Sequence, residues 1–129
     1  MKTLRDLCLV FIGGGIGAVS RYYISTTVSI DLFFPLSTLL INIAGSLTMG
    51  AVTAVFVCIG SVYQSLRLLI ATGVLGGFTT FSAFSLETVA LVEQGYIAYA
   101  AVYVFGSVIL SILSCAMSFI VVKRICEDA

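Results

Sequence analysis

Apolar residues run in four long stretches along this chain, separated by short segments that carry most of the turn formers. About 20 apolar residues, rising 1.5 Å each, carry a helix across the roughly 30 Å hydrocarbon core of a membrane. The first stretch covers residues 4–28 and the second 35–59, after the turn DLFFP. The third covers 66–91, after GSVYQS, and the fourth 97–122, after VEQGY. Connections this short make successive helices antiparallel. The pattern predicts an all-α integral membrane protein: four transmembrane helices in a single domain over residues 1–129.

Small and polar residues recur inside these stretches at helical spacing. The first holds Gly13, Gly17 and Arg21; the second holds Thr38, Asn42 and Ser46, followed by Met49 and Thr53, with Gly45 alongside. The fourth holds Tyr103, Ser107, Ser111 and Ser114. Small residues four apart let helix backbones approach closely, and packing accounts for the glycines. An amide in hydrocarbon is costly without a partner, so Asn42 must face protein or water.

The third stretch contains GGFTTFSAFS, Gly76 to Ser85. Adjacent glycines followed by two β-branched threonines weaken a helix, which predicts a break near Gly76 to Thr79. Backbone groups freed by a break in a membrane must be buried in protein or bound to something. Such breaks commonly build ion sites. Phe81 and Phe84, three apart, share a helical face. Aromatic rings carry a positive edge, so edges turned into a pore attract an anion.

Composition narrows the function classes. Sixty per cent of residues are hydrophobic and 9% charged, with mean hydropathy +1.21. Soluble domains carry about 25% charged residues. Six basic residues balance six acidic ones, so no basic face points to nucleic acid. Histidine is absent, which removes the commonest metal ligand. The cysteines Cys8, Cys58, Cys115 and Cys126 form no CxxC and read as small hydrophobes. The basic, then apolar N-terminus MKTLRDL shows no clear cleavage site and reads as a mature first helix. GGGIGA fits a dinucleotide fingerprint by letter only, without the strand and acid the motif needs. Lys2, Arg5, Arg67, Lys123 and Arg124 fall on the side that carries both termini, against Arg21 alone towards the other. The positive-inside rule puts the termini in the cytoplasm.

Gly17-xxx-Arg21, Thr38-xxx-Asn42-xx-Gly45 and, most specifically, Thr72-Gly73-xx-Gly76-Gly77-x-Thr79-Thr80-Phe81-Ser82-x-Phe84 resemble the CrcB (Fluc) family of fluoride channels. The likeness spans the whole chain and departs at Ala83, where the family usually has threonine. It implies a passive, fluoride-selective channel in the plasma (inner) membrane of a prokaryote, surrounded by lipid. Such a channel relieves fluoride toxicity after HF has entered and been trapped as the anion. It implies a dimer of two antiparallel subunits, with two pores and one structural sodium ion at the centre. The sodium would be held by backbone carbonyls matching Gly76 and Thr79. The resemblance assigns Phe81, Phe84 and Asn42 to the fluoride path, with Tyr103, Ser107 and Ser111 as a polar track and Thr38 nearby. Arg21 matches a vestibule arginine, and Glu87 an acidic position one turn beyond the aromatic box. Stripping water from fluoride needs neutral donors that also let it go, and these residues supply such donors.

The one-sided basic residues sit uneasily with a dual-topology homodimer and leave room for an oppositely oriented homologous partner. A small multidrug-type proton-coupled transporter shares the size but needs an acid in the first helix, where residues 7–27 have none. A non-conducting membrane assembly subunit has no positive feature in its favour. No histidine and no serine with an evident base partner speak for an enzyme.

Overall fold

The computed structural model describes residues 2–28, 34–60 and 63–128. Most of the DLFFP turn and two residues of GSVYQS lie outside the described residues. Among the described residues the chain is helical, with no strand. Helix α1 is Lys2–Thr27 and α2 is Leu36–Ile59, which starts directly after Pro35. Helix α3 is continuous through three pieces: Gln64–Arg67, the π-helical Leu68–Leu75, and Gly76–Phe78. Helix α4 is Phe81–Glu93 and α5 is Ile97–Glu127. Four helical segments are long and apolar enough to cross a membrane: Thr3–Thr27, Leu36–Ile59, Gln64–Glu93 and Ile97–Glu127.

The third span is broken, just after the two glycines. Gly76 keeps helical angles (φ −65°, ψ −35°), whereas Thr79 (−77°, 153°) and Thr80 (−148°, 121°) are extended. The break thus falls at the end of the expected window, Gly76 to Thr79, and extends one residue past it to Thr80. Gly77 is spent on packing instead: a Cβ there would strike the Gly14 carbonyl of α1. Helix α4 restarts with Thr80 as N-cap, whose hydroxyl accepts from the Ala83 N–H at 3.2 Å. It ends where Gly95 turns left-handed at φ 83°. There the Tyr96 N–H reaches the Leu91 carbonyl at 2.9 Å and the Gly95 N–H the Val92 carbonyl at 3.0 Å, a Schellman cap that needs glycine.

Two helix pairs make the body. Helix α1 lies on α3 along Gly13 and Gly17. A Cβ on Gly13 would come within 2.9 Å of the Gly73 Cα, and one on Gly17 within 2.8 Å of the Phe78 nitrogen. Helix α2 runs along α5, and α4 rests on α5 through Phe84, Leu91, Ala100 and Tyr103. Much apolar surface faces outward, including Phe11 (82% exposed) and Phe81 (75%). Apolar area on this scale requires lipid or protein against it.

Candidate functional site

The break is fixed from outside its own helix. The side-chain amide of Asn42, on α2, donates to the Thr80 carbonyl at 3.0 Å and accepts from the Thr80 N–H at 2.9 Å. One side chain thus satisfies both backbone groups of an extended residue, as a neighbouring strand would. Gly45, one turn further along α2, leaves room for Thr79 and Phe78: a Cβ there would lie 3.2 Å from the Phe78 ring and collide with the Thr79 methyl. Phe78 is thereby turned to α2 and does not extend the face of Phe81 and Phe84.

The last four carbonyls before the break, Gly76 to Thr79, lose the regular helical supply of donors in consequence. In a continuous helix the Thr80 N–H would serve the Gly76 carbonyl and the Ala83 N–H that of Thr79. Here the first goes to Asn42 and the second to the Thr80 hydroxyl. Their neighbour, the Gly77 carbonyl, accepts from Arg21 Nε at 3.3 Å. The same threonine-rich turn thus ends one helix, caps the next and diverts the N–H groups that a continuous helix would give to the carbonyls of Gly76 and Thr79.

Beside the break lies an open cavity of about 300 Å³. It is lined by Asn42 and Ser46 from α2, Thr79 and Thr80 at the break, Phe81 and Phe84 from α4, and Ser107, Val108, Ser111 and Ile112 from α5. Phe81 is exposed at its rim and Phe84 is 7% exposed at its base. The hydroxyl oxygens of Ser107 and Ser111 are buried and have no hydrogen-bond partner. An unsatisfied buried hydroxyl costs about 1–3 kcal/mol. They stand on successive turns of one helix, in two residues that line the cavity, and buried hydroxyls without a partner point to a ligand that accepts hydrogen bonds.

A second polar cluster adjoins the first. Thr38 donates to Glu87 Oε1 at 2.8 Å, and Tyr103 donates to Glu87 Oε2 at 2.6 Å. The Tyr103 ring is fully buried and touches Phe84 (centroids 5.2 Å apart), which touches Phe81 at 5.3 Å. Three rings therefore lead from the cavity rim to the carboxyl group. Both hydroxyls of this cluster are committed to Glu87, whereas both serine hydroxyls of the cavity are uncommitted.

Of the sequence-predicted residues, Asn42, Thr79, Phe81, Phe84, Ser107 and Ser111 meet in the cavity. Thr38, Glu87 and Tyr103 form the adjoining cluster. Arg21 and Gly76 lie outside the cavity lining, on the side of α3 that meets α1 or just before the break. Sequence reasoning missed the hold of Asn42 on Thr80 and the convergence of Thr38 and Tyr103 on Glu87. Ser46 was visible in the α2 stripe, but nothing in the sequence alone set it beside Ser111.

The family described as CrcB-like protein, Camphor Resistance (CrcB) matches residues 8–119. A protein of Methylobacterium sp. (strain 4-46), named fluoride-specific ion channel FluC, is 45% identical over 122 residues, covering 94% of this chain and 98% of its own. A protein of Rhodopseudomonas palustris (strain BisB5) with the same name is 48% identical over 106 residues, 81% of this chain and 86% of its own. One from Novosphingobium aromaticivorans, again so named, is 50% identical over 104 residues, 78% and 82% respectively.

Proposed function

This chain belongs to the CrcB-like family, and from that premise we propose that it is a fluoride-selective passive channel, not an enzyme. The observation that carries the reading is the pair of buried, unpartnered hydroxyls of Ser107 and Ser111 in a cavity walled by Phe81 and Phe84. Fluoride accepts hydrogen bonds strongly and is small enough to take both. The cavity lining contains no charged side chain. Its donors are neutral hydroxyls, an amide and ring edges, so binding replaces hydration without trapping the ion. The carboxyl of Glu87 occupies the Thr38 and Tyr103 hydroxyls as an anion would. Fluoride passing beyond Phe84 takes those donors over as Glu87 releases them.

The assembly belongs to the same proposal. Phe81 and the open side of the cavity are exposed in a single chain. A second, antiparallel subunit laid over that face would close the path and its symmetry mate, giving two pores. The carbonyls of Gly76 and Thr79, whose helical donors are diverted at the break, would suit a hard cation, which takes oxygen ligands. A sodium ion shared between two such breaks would neutralise their partial negative charge at the dimer centre. The five basic residues on the terminal side make an oppositely oriented homologue the alternative to a second copy. The setting is the inner membrane of a prokaryote, where outward flow of fluoride relieves the cell.

The test is fluoride efflux from liposomes that hold this protein alone, with chloride as control. Fluoride release without chloride release is the expected result. Release of neither ion from well-folded protein, persisting after co-reconstitution with an oppositely oriented homologue, would overturn the reading.

A further inference from the structure

Where the second span gives way to the third lies another cavity, of about 400 Å³. It is lined by Phe56 and Gly60, at the end of α2, and by Tyr63, Gln64 and Arg67, where α3 begins. Positions 63 and 67 are one helical turn apart and 64 lies beside them, so a phenol, a carboxamide and a guanidinium fall on one face. Among the described residues, none of these three side chains has a hydrogen bond or ion pair. On the same side of the membrane Arg5 pairs with Asp6 at 3.3 Å and Lys123 with Glu127 at 3.5 Å, whereas the charge of Arg67 is left unbalanced beside the cavity. Phe56 is buried and gives the cavity an apolar wall. The flanking spans end at Ile59 and begin at Gln64, so the cavity lies where hydrocarbon gives way to headgroups.

We propose that this cavity binds the phosphate headgroup of an anionic phospholipid, independently of the fluoride path. None of its lining residues belongs to the cavity at the break. A phosphodiester carries a full negative charge on acceptor oxygens. A guanidinium meets two such oxygens at once, and the Gln64 amide and Tyr63 hydroxyl add neutral donors. Phe56 offers an apolar contact to the start of the lipid tails, which a soluble phosphate would leave unused. Basic pockets between transmembrane helices on the cytoplasmic side bind anionic headgroups, and the basic-residue bias assigns this end to the cytoplasm. A lipid seated here would bridge α2, which holds the break through Asn42, to α3, which ends at it.

The chain has no tryptophan, so Tyr63→Trp places a single fluorophore at the cavity, and its indole N–H keeps a donor there. The full-length variant is reconstituted in phosphatidylcholine bilayers with brominated phosphatidylglycerol or brominated phosphatidylcholine as quencher. Phosphatidylglycerol should bind roughly fivefold better, the worth of one basic residue at an anionic surface. Arg67→Gln in the same background should abolish that preference, and Lys123→Gln should keep it. Equal quenching by the two lipids, or a preference that survives Arg67→Gln, would overturn the site. Millimolar inorganic phosphate should leave the quenching unchanged; relief of quenching would mean a soluble phosphate ligand and overturn the lipid assignment. A second readout uses the unaltered protein. Native mass spectrometry from micelles doped equally with both lipids should show phosphatidylglycerol adducts in excess, and equal adducts would overturn the site as well.

Discussion

The α1–α3 seam and the α2–α4–α5 cavity carry the same sequence signature, small residues four apart, and use it in opposite ways. At the seam, Gly13 meets Gly73, Gly17 meets the backbone of Val74 and Phe78, and Gly77 meets Gly14, with no room for a methyl group on any of the three. At the cavity, Ser107 and Ser111 belong to the lining and keep their buried hydroxyls unpaired. A glycine stripe closes two backbones onto each other. A serine stripe beside the cavity leaves hydroxyl donors buried and unpartnered. The spacing alone says that something small is needed; the atom beyond Cβ says whether for packing or for a ligand.

Substitutions can break or sharpen that contrast. The largest effect belongs to Gly17→Val, which drives side-chain atoms into the Val74 carbonyl. Overpacking of this kind costs about 1–3 kcal/mol even against movable side chains, and here the obstacle is backbone. Folded yield by size-exclusion chromatography should collapse. Asn42→Asp comes next. The new carboxylate cannot donate to the Thr80 carbonyl and repels it, a loss of about 1–3 kcal/mol that should lower both the melting temperature and fluoride flux. Full flux would show that the break holds without the amide.

At the cavity the two readouts should separate. Phe81→Ile and Phe84→Ile remove ring edges, so fluoride flux should fall while elution as an assembled species persists. Unchanged flux in both would end their pore role. Ser107→Ala with Ser111→Ala should reduce flux roughly tenfold, on the measure that about 1.4 kcal/mol is a factor of ten. The same double variant should melt no lower than the parent, because two unsatisfied groups disappear and alanine is the better helix former. A lower melting point would mean that the hydroxyls serve packing. The smallest effect is expected from Gly15→Ala on α1, where nothing lies within 4 Å of an added Cβ. Stability should stay within about 0.5 kcal/mol, unlike its neighbour Gly17.

The four spans were legible because length and apolarity are local properties. The chain within each is helical as expected, though α5 continues to Glu127, past the expected end at residue 122. The break was legible to within a residue, at the end of the expected Gly76–Thr79 window. Gly76 and Gly77 lower helix propensity, yet both remain helical, because what fixes the extended pair Thr79–Thr80 is Asn42, 38 residues away. The cavity members were found through the stripes and the family likeness, not through any rule that pairs helices. Thr38 and Glu87, 49 positions apart, could meet only once α2 and α4 had been placed on α5.

The hold of Asn42 on Thr80 also imposes an order on biogenesis. An extended residue cannot rest in hydrocarbon with its N–H and carbonyl bare. Its partner stands earlier in the chain, so α2 has already left the ribosome when Thr80 emerges. The third span then enters the bilayer alongside a template that completes its gap. Reversing the order of these two helices by circular permutation would strand the gap in lipid until its partner arrived.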